Sequence, residues 1–93
     1  MAGDKRQFHA VVHGRVQGVN FRYYTLQTAN QLALTGWVCN RPDRTVEVVA
    51  EGPPAALERL LAFLHSGPPS ASVSHVEVQW RAAGGQFDRF EIR

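Results

Sequence analysis

An α+β architecture is predicted, a split β-α-β sandwich of order βαββαβ plus a short terminal strand, with two helices on one face of an antiparallel sheet. Three observations predict it. Short β-branched runs alternate with two longer segments of helical periodicity along the 93 residues. Glycine and proline mark the changes between them, above all at Gly52-Pro53-Pro54 and Gly67-Pro68-Pro69. Between those two breaks Leu57, Leu60, Leu61 and Leu64 follow the i, i+3, i+4, i+7 pattern, so a leucine stripe must be buried.

The first strand is expected over residues 7–14, where Phe8-His9-Ala10-Val11-Val12-His13 is apolar and β-branched and Gly14 breaks it. A turn follows, and Asn20 suits the N-cap of a helix over residues 21–33 whose inner face is Phe21, Thr25, Thr28, Ala29 and Leu32. Gly36 restarts extended structure through Trp37-Val38-Cys39-Asn40, and a polar turn, Arg41-Pro42-Asp43-Arg44, joins it to a partner strand over residues 45–50. So short a link predicts an antiparallel hairpin. Gly52-Pro53-Pro54 then starts the leucine-striped helix, since proline is tolerated in a first turn, and Gly67-Pro68-Pro69 ends it. After a loop at residues 70–72, residues 73–80 alternate as a strand with one face inward. A Gly84-Gly85 turn leads to a short strand over residues 87–92.

A chain of this length predicts one domain over residues 1–93 with one core, residues 1–6 forming a flexible N-terminus. Apolar residues at 44% and charged residues at 19% describe an ordinary globular composition, which excludes a disordered or low-complexity spacer. One cysteine, Cys39, precludes an internal disulfide and points to a reducing, cytoplasmic setting. Residues 1–7 lack the apolar run of a secretory signal, and no apolar stretch of about 18 residues is present to span a bilayer. A net charge of +2 is too mild for nucleic-acid binding but suits a small anionic ligand.

Several chemistries are set aside for want of residues. His9 and His13 lie roughly 13 Å apart along a strand, too far to share an ion, and the four histidines are read as forming no metal-ligand cluster. The first strand-to-helix turn holds no serine, threonine or cysteine nucleophile. What it holds is Gly14-Arg15-Val16-Gln17-Gly18-Val19-Asn20-Phe21-Arg22. Two glycines four apart allow successive N–H groups to converge on one point, and the helix aims its positive end there. Without a Gly-Lys-Ser/Thr sequence this is no nucleotide loop. A glycine-rich turn alone is equally well a tight connection with no ligand. Arg22 favours the anion cradle, because a cation in a first helical turn is unfavourable without an anion beside it, and its fork can grip two phosphate oxygens.

The run from Gly14 to Arg22, followed by Gly36-Trp37-Val38-Cys39-Asn40 and then Val46 and Gly52, resembles the acylphosphatase family over nearly all of the chain. The resemblance implies a ferredoxin-like α/β sandwich and hydrolysis of the carboxyl–phosphate bond of acyl phosphates to a carboxylate and inorganic phosphate, with no metal or cofactor. By motif position it implies phosphate binding by Arg15, Val16, Gln17, Gly18, Val19, Asn20, Phe21 and Arg22. It further implies that Arg22 clamps the phosphoryl group and Asn40 positions the attacking water. The implied partners are a small acyl phosphate and its phosphate product, with no nucleic acid and no membrane, for a monomeric protein.

Two positions depart from the family pattern. Arg44 stands where glycine is usual, and at a positive φ it costs about 1 to 2 kcal/mol, so another turn type is expected. Cys39 stands where a longer polar residue is common, and strand alternation puts it on the opposite face from Asn40. His13 is expected to be a solvated strand-end residue, and Trp37 to serve sheet packing. Without its motif, Asn40 reads as a turn-forming asparagine. The competing functional reading is a module that binds phosphate or carbamoyl phosphate without turnover, like the acylphosphatase-like domain of hydrogenase-maturation carbamoyltransferases. An RNA-binding sheet is excluded by the lack of aromatics in Val46-Glu47-Val48-Val49.

Overall fold

The computed structural model describes residues 4–93. Its elements run β1 (Arg6–Arg15), α1 (Phe21–Gln31), β2 (Thr35–Asn40), β3 (Val46–Gly52), α2 (Pro54–Ser66), β4 (Ser72–Ala82) and β5 (Phe90–Ile92). One five-stranded sheet has the order β4-β1-β3-β2-β5. Strand alternation decides its two faces. Phe8, Ala10 and Val12 of β1, Val46, Val48 and Ala50 of β3, and Val38 of β2 are fully buried in one cluster, together with Leu57, Leu60 and Leu64 of α2 and Phe21 and Ala29 of α1. Both helices therefore cover one face. Each buried leucine of the α2 stripe contributes about 1.5 to 3 kcal/mol by leaving water.

The opposite face carries polar side chains at its centre. Gln7 Nε2 donates to Glu51 Oε2 at 2.6 Å, and His9 Nε2 lies 2.6 Å from Glu47 Oε2. The backbone N–H groups of Gly84 and Gly85 also donate to the two Glu51 oxygens. Glu51 is only 4% exposed, and these three donors offset the cost of burying it.

The structure corrects several boundaries. Arg6 pairs with Gly52 and Ala82 and so belongs to β1, while residues 1–3 of the expected flexible N-terminus lie outside the described residues. α1 stops at Gln31, because Ala33 adopts φ 56 and closes the end: its N–H donates to Asn30 O and the Leu34 N–H to Ala29 O. Of the expected inner face, Thr28 and Leu32 are only partly buried. β3 starts one residue late because Thr45 is held in the turn by Asp43. β4 extends to Ala82, while residues 87–89 fall outside β5.

The sheet is mixed, and the purely antiparallel expectation is corrected at β5. From β4 at one edge the chain crosses to the other and pairs with β2 in parallel, Gly36 with Phe90 and Val38 with Ile92. That crossing brings Phe90, 4% exposed, into the core.

Candidate active site

The turn from β1 into α1 has the conformation its glycines suggested. Gly14 has φ 127 and lies so close to β4 that a Cβ there would come within 2.2 Å of the Ser72 carbonyl oxygen. Gly18 has φ 75 with open space above it, so glycine is favoured there by backbone angle and not by crowding. Asn20 takes φ 62, a left-handed geometry that asparagine tolerates, and its side chain makes no capping hydrogen bond. That corrects the expectation of a side-chain cap. The first intrahelical bond runs from Tyr24 N–H to Asn20 O, so the N–H groups of the first turn stay available to an external acceptor.

Val16, Gly18, Asn20, Phe21, Arg22, Tyr23, Asn40 and Ile92 line a cleft of about 260 Å³ over this helix start. Arg22 is half-buried, α1 has no acidic residue in its first turn, and among the described residues Arg22 makes no ion pair. Asn40 is brought to the same cleft by alternation along β2. It shares a face with Val38 at the end of the strand, pairing with Val46 across the hairpin. Its Oδ1 is buried and has no hydrogen-bond partner in the protein. An orphaned buried acceptor costs about 1 to 3 kcal/mol, and the protein itself supplies no donor to offset that cost at Asn40 Oδ1.

Arg15, Gln17 and Val19 lie outside that lining. Arg15 is exposed at the end of β1, opposite Ser72. The Val19 carbonyl accepts a hydrogen bond from Ser70 Oγ. Gln17 does something sequence reasoning missed: its Nε2 donates to the carbonyls of Arg41 and Thr45 at 2.8 and 2.9 Å, fastening the glycine loop to the turn that follows Asn40. Also missed were Tyr23 and Ile92, 52% and 40% exposed, which form the apolar side of the cleft. Tyr23 was readable as an exposed aromatic beside Arg22, but the place of Ile92 depends on the parallel pairing of β5.

The departures are also resolved. Arg44 adopts φ 72, so the turn keeps its left-handed geometry in spite of the residue, contrary to the expectation of another turn type. Cys39 lies on the open face with Sγ 3.9 Å from Glu47 Oε1. Burial pushes its thiol pKa up, and the charge and hydrogen bond of Glu47 add to this against the weaker pull of Arg41 and Arg22. A protonated thiol away from the cleft is no nucleophile. Trp37 is a sheet residue, with the Arg93 guanidinium 5.3 Å from its ring centroid. His13 is stacked on His75, with ring centroids 4.1 Å apart, and reaches Glu77, so the histidines do form a cluster with a carboxylate. The reading along one strand could not register a neighbour supplied by another.

The family model of the acylphosphatases matches residues 8–92. An acylphosphatase of Syntrophotalea carbinolica is 51% identical over 82 residues, 88% of this chain and 89% of the relative. One of Salinibacter ruber is 44% identical over 91 residues, 98% of this chain and 96% of the relative. The crystal structure of acylphosphatase from Bacillus subtilis superposes with a TM-score of 0.91 at 39% identity, covering 95% of this chain and 98% of that one. With the glycine loop, Arg22 and Asn40 gathered around one cleft, this chain belongs to the acylphosphatase family of hydrolases.

Proposed function

We propose that this chain hydrolyses acyl phosphates with two side chains and a backbone cradle: Arg22 grips the phosphoryl oxygens, the N–H groups around Gly18 and the α1 start hold the remaining charge, and Asn40 Oδ1 orients the attacking water. The single observation that carries this reading is that Arg22, with no ion-pair partner among the described residues, and Asn40, whose buried Oδ1 has no hydrogen-bond partner in the protein, line the same cleft. Phosphoryl transfer needs in-line positioning and neutralised charge on the equatorial oxygens, and this arrangement supplies both. The carboxylate leaving group has a conjugate acid of pKa about 4, so it departs without a general acid. None of the eight cleft residues is a carboxylate or an imidazole. The water's proton therefore passes to a phosphoryl oxygen of the substrate. Asn40 accepts a hydrogen bond and does not act as a base. Tyr23 and Ile92 face the acyl group without specifying it, which suits a broad range of acyl phosphates.

Release of phosphate from acetyl or benzoyl phosphate in the presence of EDTA tests the proposal. The wild-type chain is expected to turn over, and Arg22→Ala is expected to lose about 10³-fold or more in kcat/KM. Phosphate binding without turnover in the wild type would instead support the binding module. The lone Cys39 supports a reducing cytoplasmic setting.

A further inference from the structure

We propose that His13, His75 and Glu77 form a binding site for a divalent transition-metal ion of the zinc type on the open face of the sheet, separate from the cleft and not used in turnover. The register of β1 on β4 creates the site. His13 stands directly opposite His75 in the antiparallel ladder, and Glu77, two residues further along β4, emerges on the same face. One potential ligand atom from each of the three lies within 4.8 Å of the other two. His13 Nε2 is 2.7 Å from Glu77 Oε2, and His75 Nε2 is 3.9 Å from the same oxygen. Donors around a tetrahedral zinc stand about 3.3 Å apart, so to share one ion the His13–Glu77 hydrogen bond opens and the stacked His13 and His75 rings tilt toward a common point.

Two further features fit. The Nδ1 atom of His75 is 3.4 Å from Ser74 Oγ, which leaves Nε2 as the atom turned toward Glu77, the way a ligating imidazole is oriented through its second nitrogen. The ladder also shifts register between His13 and Gly14, an irregularity of the kind that re-aims side chains at sheet edges. Two imidazoles and one carboxylate suit zinc, nickel or copper better than magnesium or calcium. With all three groups reachable by solvent, water completes the coordination. Arg41 lines a depression beside Glu77 and His9. A bound ion would tie β4 to the strand that leads into the phosphate loop.

Calorimetric titration of the EDTA-stripped protein with Zn²⁺ alone, in a non-chelating buffer, tests the site. The expected result is one saturable site with Kd on the order of 10 µM and an affinity at least 10-fold weaker in His75→Ala and in Glu77→Gln. His65→Ala, on α2, is expected to bind as the wild type does. The imidazole NMR signals of His13 and His75 are expected to shift on Zn²⁺ addition while that of His65 stays in place. A wild type that fails to saturate by about 1 mM would overturn the proposal. So would variants at His75 and Glu77 that bind Zn²⁺ as tightly as the wild type.

Discussion

Two turns lie side by side at one end of the molecule, the loop of residues 16–20 and the turn of residues 41–44, and both contain non-glycine residues in the left-handed region. Asn20 has φ 62 and Arg44 has φ 72. They differ in what happens to their polar groups. The second turn satisfies itself: Arg44 N–H donates to Arg41 O, Arg41 N–H to Thr45 O, and Thr45 N–H and Oγ1 both donate to Asp43 Oδ1. The first loop leaves its helix start uncapped, with Arg22 beside it, and across the cleft Asn40 Oδ1 has no partner. Strain alone therefore does not mark a site. Polar groups prepared and left unsatisfied do. Gln17 joins the two, because its amide is spent on the second turn's carbonyls in order to hold the first.

Substitutions can break that comparison at its strong end or sharpen it at its weak end. The largest effect is expected at Arg22. Arg22→Lys keeps the charge but loses the two-pronged grip, so kcat/KM should stay within about 10-fold of Arg22→Ala and far below the wild type. Steady-state kinetics check this, and near-normal activity in the lysine variant would remove the clamp from the account. Next comes Gln17→Ala, which removes the side-chain donor shared by the Arg41 and Thr45 carbonyls while each keeps its backbone donor. A stability loss of about 1 to 2 kcal/mol is expected in denaturant titration, with about a 10-fold fall in kcat as the loop and Asn40 lose their common anchor. A stability loss with unchanged kcat would reduce Gln17 to a structural tie.

The self-satisfied turn should behave in the opposite way. Arg44→Gly relieves a left-handed arginine and is expected to stabilise by about 0.5 to 1 kcal/mol, raising Tm by about 2 to 8 °C with activity unchanged. Asp43 gives the smallest effect. Thr45 donates to its carboxyl through hydroxyl and amide and holds the pKa below the ordinary 3.8. A carboxylate pKa depressed on folding contributes stability above its unfolded value and loses it as pH falls through the folded value. The wild type should therefore be slightly more stable than Asp43→Asn at neutral pH, and the gap should close below about pH 4. A gap independent of pH would assign the effect to something other than the ionised carboxylate.

How much was legible in the sequence follows from how local each feature is. The leucine stripe of α2 and the alternation of β1 are written in consecutive residues, and so is the cradle, where Gly14, Gly18 and Arg22 are four apart. The capping of α1 misled because Asn20 is as competent in the left-handed region as at an N-cap, and only the loop's closure decides between them. Long-range register was not legible. The parallel pairing of β5, the arrival of Ile92 at the cleft and the meeting of His13 with Glu77, 64 residues later, all depend on which strands become neighbours. Side-chain types and spacings within one segment carry no record of that choice.

The most direct test of the central claim compares two numbers for Asn40→Ala: kcat for acyl phosphate hydrolysis and the inhibition constant of inorganic phosphate. If Asn40 Oδ1 holds the water while Arg22 and the loop hold the phosphoryl group, kcat should fall by about 10²-fold or more while the phosphate constant stays within about 3-fold. Equal losses in both would contradict the account, because they would make Asn40 part of the phosphate grip.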